Sequence, residues 1–159
     1  MTQSTPQSTT QSTPRTTEQR RKDALARFES DIDVWVATAD ATGVACLVPL
    51  SFRWDGESFL MSTGRTLPTG RNLAASGRVR LAFGATRDVV LVEGAVTRLE
   101  AAELAPGEIE AFAAHSGFDP SSLKTPYPYF RVTPVWIQAW READEIAGRD
   151  LMKDGRWLP

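Results

Sequence analysis

Between residues 33 and 140 the chain repeats one pattern: short β-rich runs joined by tight-turn residues, without helices at regular intervals between them. Parallel strands need a crossover of a dozen or more residues, usually helical, so this pattern directs the chain toward antiparallel pairing. The runs lie at 34–38, 44–54, 58–61, 79–83, 88–99 and 132–140, six strands in all. Asp40 to Gly43 and the dipeptide Asp55-Gly56 supply hairpin turns, which makes the first three strands a meander. A short amphipathic helix is predicted over 18–30, where Ala24, Leu25 and Phe28 recur at helical spacing, and another is entered near Thr69. Residues 100–115 also read as helical, but Pro106-Gly107 divides them into two short pieces. A proline-rich loop at 120–128 precedes the last strand, and 142–159 is weakly patterned. The expected class is mainly β (α+β): a six-stranded antiparallel barrel with short flanking helices, in preference to a doubly wound sheet.

At 159 residues the chain has room for one domain with a real core. Residues 1–17 hold fifteen Thr, Ser, Gln or Pro, with Thr-Gln-Ser-Thr-Pro at 2–6 and again at 10–14. Such a stretch has almost nothing apolar to offset ordering entropy, so a disordered arm over 1–17 and a folded domain over 18–159 are expected. No run approaches the roughly 18 apolar residues of a membrane span, and no signal-peptide core is visible, which points to a cytoplasmic protein. One cysteine and one histidine exclude an internal disulfide and the usual zinc frameworks, so no metal site is expected. A net charge of −2 argues against a general nucleic-acid binder, and any anion site must be local.

The local candidate is 62–87, which carries Arg65, Arg71, Arg78, Arg80 and Arg87 and not one Asp or Glu. Within it, 62–73 leaves a strand, passes through Gly64 and Pro68, and enters a helix near Thr69. A helix entrance offers unpaired backbone N–H groups, hydroxyls add donors, and Arg grips phosphate through two parallel bonds. These residue types suit a phosphate, although Thr69 as a plain helix cap with solvated arginines explains the same letters. His115 falls at a helix end, where the dipole favours an imidazole and the nearby Gly117 permits the stop, and Cys46 reads as a small core residue.

In their order, Val34-Trp35-Val36-Ala37-Thr38, Leu47-Val48-Pro49-Leu50-Ser51, Trp54-Asp55-Gly56, Ser62-Thr63, Arg71-Asn72-Leu73 and Ala139-Trp140-Arg141 resemble the pyridoxamine 5′-phosphate oxidase-like superfamily, the flavin/deazaflavin oxidoreductases with a split β-barrel. The resemblance spans about 24–141 and is closest to the actinobacterial branch that uses FMN or the deazaflavin coenzyme F-420. It implies an FMN-binding split barrel, a homodimer with the cofactor between subunits, and a hydride transferred between that cofactor and an unidentified small molecule. It also implies that Val48, Pro49, Leu50 and Ser51 present backbone groups to the ring system. Ser62, Thr63, Thr69, Gly70, Arg71 and Asn72 would surround ribityl and phosphate, with Arg65 nearby and Trp140 approaching the ring from the partner. No catalytic side chain is singled out, because the cofactor carries the hydride. The chain is shorter than true pyridoxamine phosphate oxidases and lacks a match to their substrate-binding C-terminal region, so vitamin B6 oxidation is not expected. The rival reading is a carrier that holds a flavin, deazaflavin or haem without turnover.

Overall fold

The computed structural model describes residues 13–159. Its elements are α1 (Thr17–Ser30), β1 (Asp33–Ala39), β2 (Ala45–Trp54), β3 (Phe59–Ser62), α2 (Pro68–Ser76), β4 (Arg78–Phe83), β5 (Val89–Leu99), α3 (Glu108–Ser116), β6 (Tyr129–Trp140), β7 (Asp150–Lys153) and β8 (Arg156–Trp157). The strands form one antiparallel sheet in the order β3-β2-β1-β4-β5-β6-β7-β8, and a further β3–β6 pairing closes the first six into a barrel. The expected six-stranded antiparallel barrel is therefore present, with β7 and β8 added as a small hairpin on β6.

Alternation builds the barrel. In β1 the even residues Val34, Val36 and Thr38 are buried, while Asp33, Trp35 and Ala39 face outward. Phe28 of α1 closes part of the core, with ring centroids 4.9 Å from Phe59, 4.9 Å from Phe83 and 5.3 Å from Trp54. A smaller cluster of Leu60, Phe112 and Tyr129 seals α3 against the outer side of β3 and β6. Pro134, which cannot donate to a ladder, sits where the β5–β6 register slips beside Glu93 and Gly94, a position strand prolines favour.

The turns and split helices expected at Asp40 to Gly43, Asp55-Gly56 and 100–115 are found: Gly43 and Gly56 have φ of +86° and +103°, and a 3₁₀ turn at Ala101–Glu103 precedes α3. Residues just before Glu18 are tied to the fold: Thr16 caps α1 in a reciprocal pair with Gln19, and Arg15 donates to Glu145 from its backbone and its guanidinium. Residues 1–12 of the expected arm lie outside the described residues. The stretch 142–159, weakly patterned in sequence, contains β7 and β8 around a turn at Asp154 and Gly155, both with positive φ.

Among the described residues no helix is long and apolar enough to cross a membrane.

Candidate cofactor site

The barrel is closed along only part of its length. β3 has four residues and pairs with β2 at Phe52, Arg53 and Trp54 alone, so 45–51 of β2 pair with β1 on one side and, among the described residues, with no strand on the other. Backbone groups on that free side are available to a ligand, and Pro49 is tolerated there because its missing N–H interrupts no ladder on the open side. α2 and the loop leading to it fill part of the opening.

Between these parts lies a cavity of about 360 Å³ lined by Asp33, Pro49, Leu50, Ser51, Ser62, Thr63, Leu67, Phe118 and Tyr127. The sequence-predicted residues Pro49, Leu50, Ser51, Ser62 and Thr63 are thus brought together, from the β2 edge and the end of β3. Asp33, Leu67, Phe118 and Tyr127 were not anticipated. The aromatic pair brackets the proline-rich loop, with rings 6.4 Å apart, and Tyr127 also packs against Gly64. Aromatic residues just before such a loop and near its end were the available signal.

α2 supplies the second part of the site. Its N-cap is Leu67, which has no side chain to cap with, and N1 is Pro68, one residue before the entrance expected at Thr69. Arg71 N–H bonds Leu67 O, but no backbone acceptor serves the N–H groups of Thr69 or Gly70 among the described residues. An uncapped first turn of this kind suits an anion. Gly70 is required by closeness: a Cβ there would strike the carbonyl oxygen of Gly64.

The polar side chains of α2 are in part engaged within the protein. Thr69 is buried with its hydroxyl 3.4 Å from Cys46 Sγ, and the Asn72 amide donates to Thr38 Oγ1 at 3.2 Å. Both side chains are engaged where the helix lies over β1 and β2. Arg71 is exposed, with one guanidinium N–H donated to Thr66 O at 2.9 Å and no other partner for its fork among the described residues. Arg65 is exposed and pairs with Glu100 at 3.2 Å. Val48 is half-buried opposite Val36, and its backbone groups face β1 as those of Val44 and Phe52 do, so the unpaired side of β2 is presented by Leu47, Pro49 and Ser51. Trp140 ends β6 opposite Val89, with the Arg149 guanidinium 5.4 Å from its ring centroid, and does not line the cavity. Ser62 donates its hydroxyl to Pro128 O at 2.8 Å, which holds the proline-rich loop against β3.

His115 and Cys46 take structural roles. His115 lies in the last turn of α3 before Gly117, whose φ is +70°, and its Nε2 is 3.0 Å from Asp31 O. Cys46 is half-buried against Thr69. No group of acidic, His or Cys residues suited to a metal is found among the described residues.

A family model described as Pyridoxamine 5′-phosphate oxidase matches residues 22–141. Similar solved structures include the haem storage protein HutZ from Vibrio cholerae, with a TM-score of 0.60 and 16% identity over 86% of this chain and 99% of that one. An F420 reductase superimposes with a TM-score of 0.59 at 17% identity, covering 70% of this chain and 93% of its own. A Clostridium acetobutylicum protein of the pyridoxinephosphate oxidase family, related to a Bacillus subtilis general stress protein, gives 0.58 at 19% identity over 79% and 90%. No curated protein sequence matches the chain. At these identities the superpositions speak for the fold.

Proposed function

Because the chain belongs to the pyridoxamine 5′-phosphate oxidase family, we propose that it is an FMN- or F-420-dependent oxidoreductase acting on a small molecule. The observation that carries this reading is the adjacency of two unlike surfaces. An apolar, aromatic-walled cavity runs along the open β2 edge, and Leu67 on its wall is also the N-cap of the uncapped helix α2. A flat ring with a phosphorylated tail needs that combination.

In this reading Pro49, Leu50, Phe118 and Tyr127 bury the ring face and exclude water, while the free edge of β2, at the Pro49 carbonyl and the Ser51 backbone, offers groups to ring heteroatoms. The backbone N–H groups of Thr69 and Gly70, with the Arg71 guanidinium, hold the phosphate. Such a cofactor, when bound, supplies hydride transfer, so the protein's task is binding, orientation and electrostatics. Arg65 and Trp140 stand further out, toward a second reactant or a second subunit.

The outer face of β1 and β2 supports a homodimer as part of this reading. Trp35 and Leu47 are 49% and 61% exposed, Val44 at the preceding turn is 64% exposed, and Pro49 is exposed beside them. That apolar surface borders the cavity, and a second copy would cover it and wall the site. Light scattering should then report about twice the 17.5 kDa chain mass. A cytoplasmic setting suits a chain whose single cysteine has no disulfide partner.

The haem carrier reading has less support. The chain's single histidine is engaged through Nε2 by Asp31 O, and the cavity lining includes no histidine, cysteine or methionine.

Side-by-side titration with FMN and F-420 tests the proposal. One of them should bind and be reduced by a nicotinamide nucleotide or reduced substrate. Arg71→Ala should weaken FMN binding about ten- to a hundredfold, and Arg71→Lys should recover only part of that loss. Arg53→Ala, beside the Asp55-Gly56 turn, should bind as wild type does. Equal FMN affinity of the Arg71 and Arg53 variants, or riboflavin binding as tight as FMN, would sink the phosphate assignment.

A further inference from the structure

The cavity has a lopsided electrostatic character. Among the described residues that line it Asp33 is the only carboxylate, and there is neither Lys nor Arg, because Arg65 and Arg71 lie outside the wall. Asp33 opens β1 on its outward face and pairs in register with Ser51 of β2, which places both side chains on the same side of the sheet. The Ser51 hydroxyl donates to Asp33 Oδ1 at 2.7 Å, and Oδ2 has no partner among the described residues. Of the other hydroxyls in the lining, that of Ser62 is already donated to Pro128 O. This end of the cavity therefore offers a fixed acceptor and a negative charge. A phosphate placed there would face a carboxylate with no cation between them.

Resting on the flavin or deazaflavin reading above, we infer that Asp33, braced by Ser51, selects and orients the ring end of the ligand by accepting a hydrogen bond from a ring N–H. The same carboxylate turns anionic groups away, so the phosphate lies toward the α2 entrance. Both flavin and deazaflavin rings carry one imide N–H between two carbonyls, and it is the donor a carboxylate would take. The recognised class is an uncharged heteroaromatic ring bearing an N–H donor. Asp33 is a binding and orienting residue here, not a proton-transfer group, since nothing in its role requires it to change protonation.

The test uses lumiflavin, which is the ring without a tail, and 3-methyllumiflavin, in which the imide N–H is replaced by a methyl group. The purified full chain should bind lumiflavin about tenfold tighter than the methylated probe, the loss expected for one charge-assisted hydrogen bond. Asp33→Ala should bind lumiflavin and its methylated form about equally, while Asp33→Asn, which keeps an acceptor oxygen, should retain part of the preference. In Asp33→Ala the ratio of FMN to riboflavin affinity should stay at its wild-type value, because the phosphate is held elsewhere. Wild-type discrimination between the two probes in Asp33→Ala would overturn the assignment. So would an Asp33→Ala variant that tightens on FMN alone, which would place the phosphate beside Asp33. Wild-type protein that binds neither lumiflavin, FMN nor F-420 would remove the flavin reading and this inference together. Asp33 is exposed, so a melting curve of each variant should match wild type and confirm that affinity is being read and not folding.

Discussion

Two groups of arginines in this protein do different work. Arg15, Arg20 and Arg27 reach into a shared set of carboxylates and carbonyls. The Arg15 guanidinium, 11% exposed, lies 2.7 Å from Glu145, 2.7 Å from Asp23 and 3.9 Å from Asp88. Arg27 meets Asp88 at 2.6 Å, Arg141 joins Asp88 at 3.3 Å, and Arg20 donates to Glu145 O at 3.2 Å. In the 62–87 segment the arginines stand singly. Arg65, Arg80 and Arg87 each face one carboxylate at 3.2, 2.8 and 3.5 Å with both partners at least one-third exposed, and Arg71 bonds only a backbone oxygen. A buried guanidinium with several partners ties chain segments together, whereas an exposed one with a single partner adds little to stability and is free for a ligand. Density of arginine along the sequence therefore marks neither role, and the number and burial of partners separates them.

The largest effect should come from removing the most buried partner. Glu145 is 4% exposed and accepts from Arg15 N, Nε and Nη2 and from Arg141 N. Glu145→Ala leaves those donors without an acceptor and should cost about 3 kcal/mol, or roughly 6–12 °C in Tm by calorimetry. The same group gives a pH signature. Hydrogen bonds from the Arg15 guanidinium come first among the causes that hold the Glu145 carboxyl down at about 2, against an ordinary 4.5. A depressed carboxyl stabilises the fold fully above about pH 4.5 and loses that contribution as pH falls toward 2, about 3 kcal/mol in all. The stability gap between wild type and Glu145→Gln should thus narrow between pH 6 and pH 2.5. A gap independent of pH would mean the ion pair is not what holds this region.

A smaller loss should follow truncation at the other partner. Deleting residues 1–15 removes Arg15 and leaves Glu145 the Arg141 N–H, and should cost about 2 kcal/mol, or roughly 4–8 °C. Deleting 1–12 alone removes only the polar repeat and should leave Tm in place. Equal melting temperatures for the two truncations would break the distinction between the two arginine groups at its strongest point.

The strand pattern was legible because period-two burial and turn residues are local signals: β1 alternates along Val34, Val36 and Thr38, and Gly43 and Gly56 adopt the positive φ their turns need. The Arg15–Glu145 tie was not, since its partners lie 130 residues apart and nothing local marks either one. β7 and β8 escaped notice because strands of four and two residues are too short for alternation to register. At the site, Pro49, Leu50 and Ser51 of the β2 edge share a cavity wall with Ser62 and Thr63, an adjacency that strand order alone makes legible. Thr69 resembled a cap by residue type, yet Pro68 at N1 moves the cap to Leu67 and turns the Thr69 hydroxyl toward Cys46. Asp33 looked like an ordinary strand boundary, and only its register opposite Ser51 places it in the cavity wall.

The smallest effect belongs to the most exposed pair. Arg87 and Glu142 have side chains 84% and 56% exposed and approach only to 3.5 Å, so solvent screens their attraction and both long side chains lose rotamer freedom to meet. Arg87→Ala should shift Tm by no more than about 1 °C, and raising salt from 0.05 to 0.5 M should leave the difference from wild type unchanged within error. Glu145→Ala should keep most of its deficit in the same salt series, because a pair with 11% and 4% exposure is shielded from mobile ions. If Arg87→Ala lowered Tm as much as Glu145→Ala, exposure and partner number would not be what separates the two groups, and the 62–87 arginines would have to be counted among the ties that hold the fold.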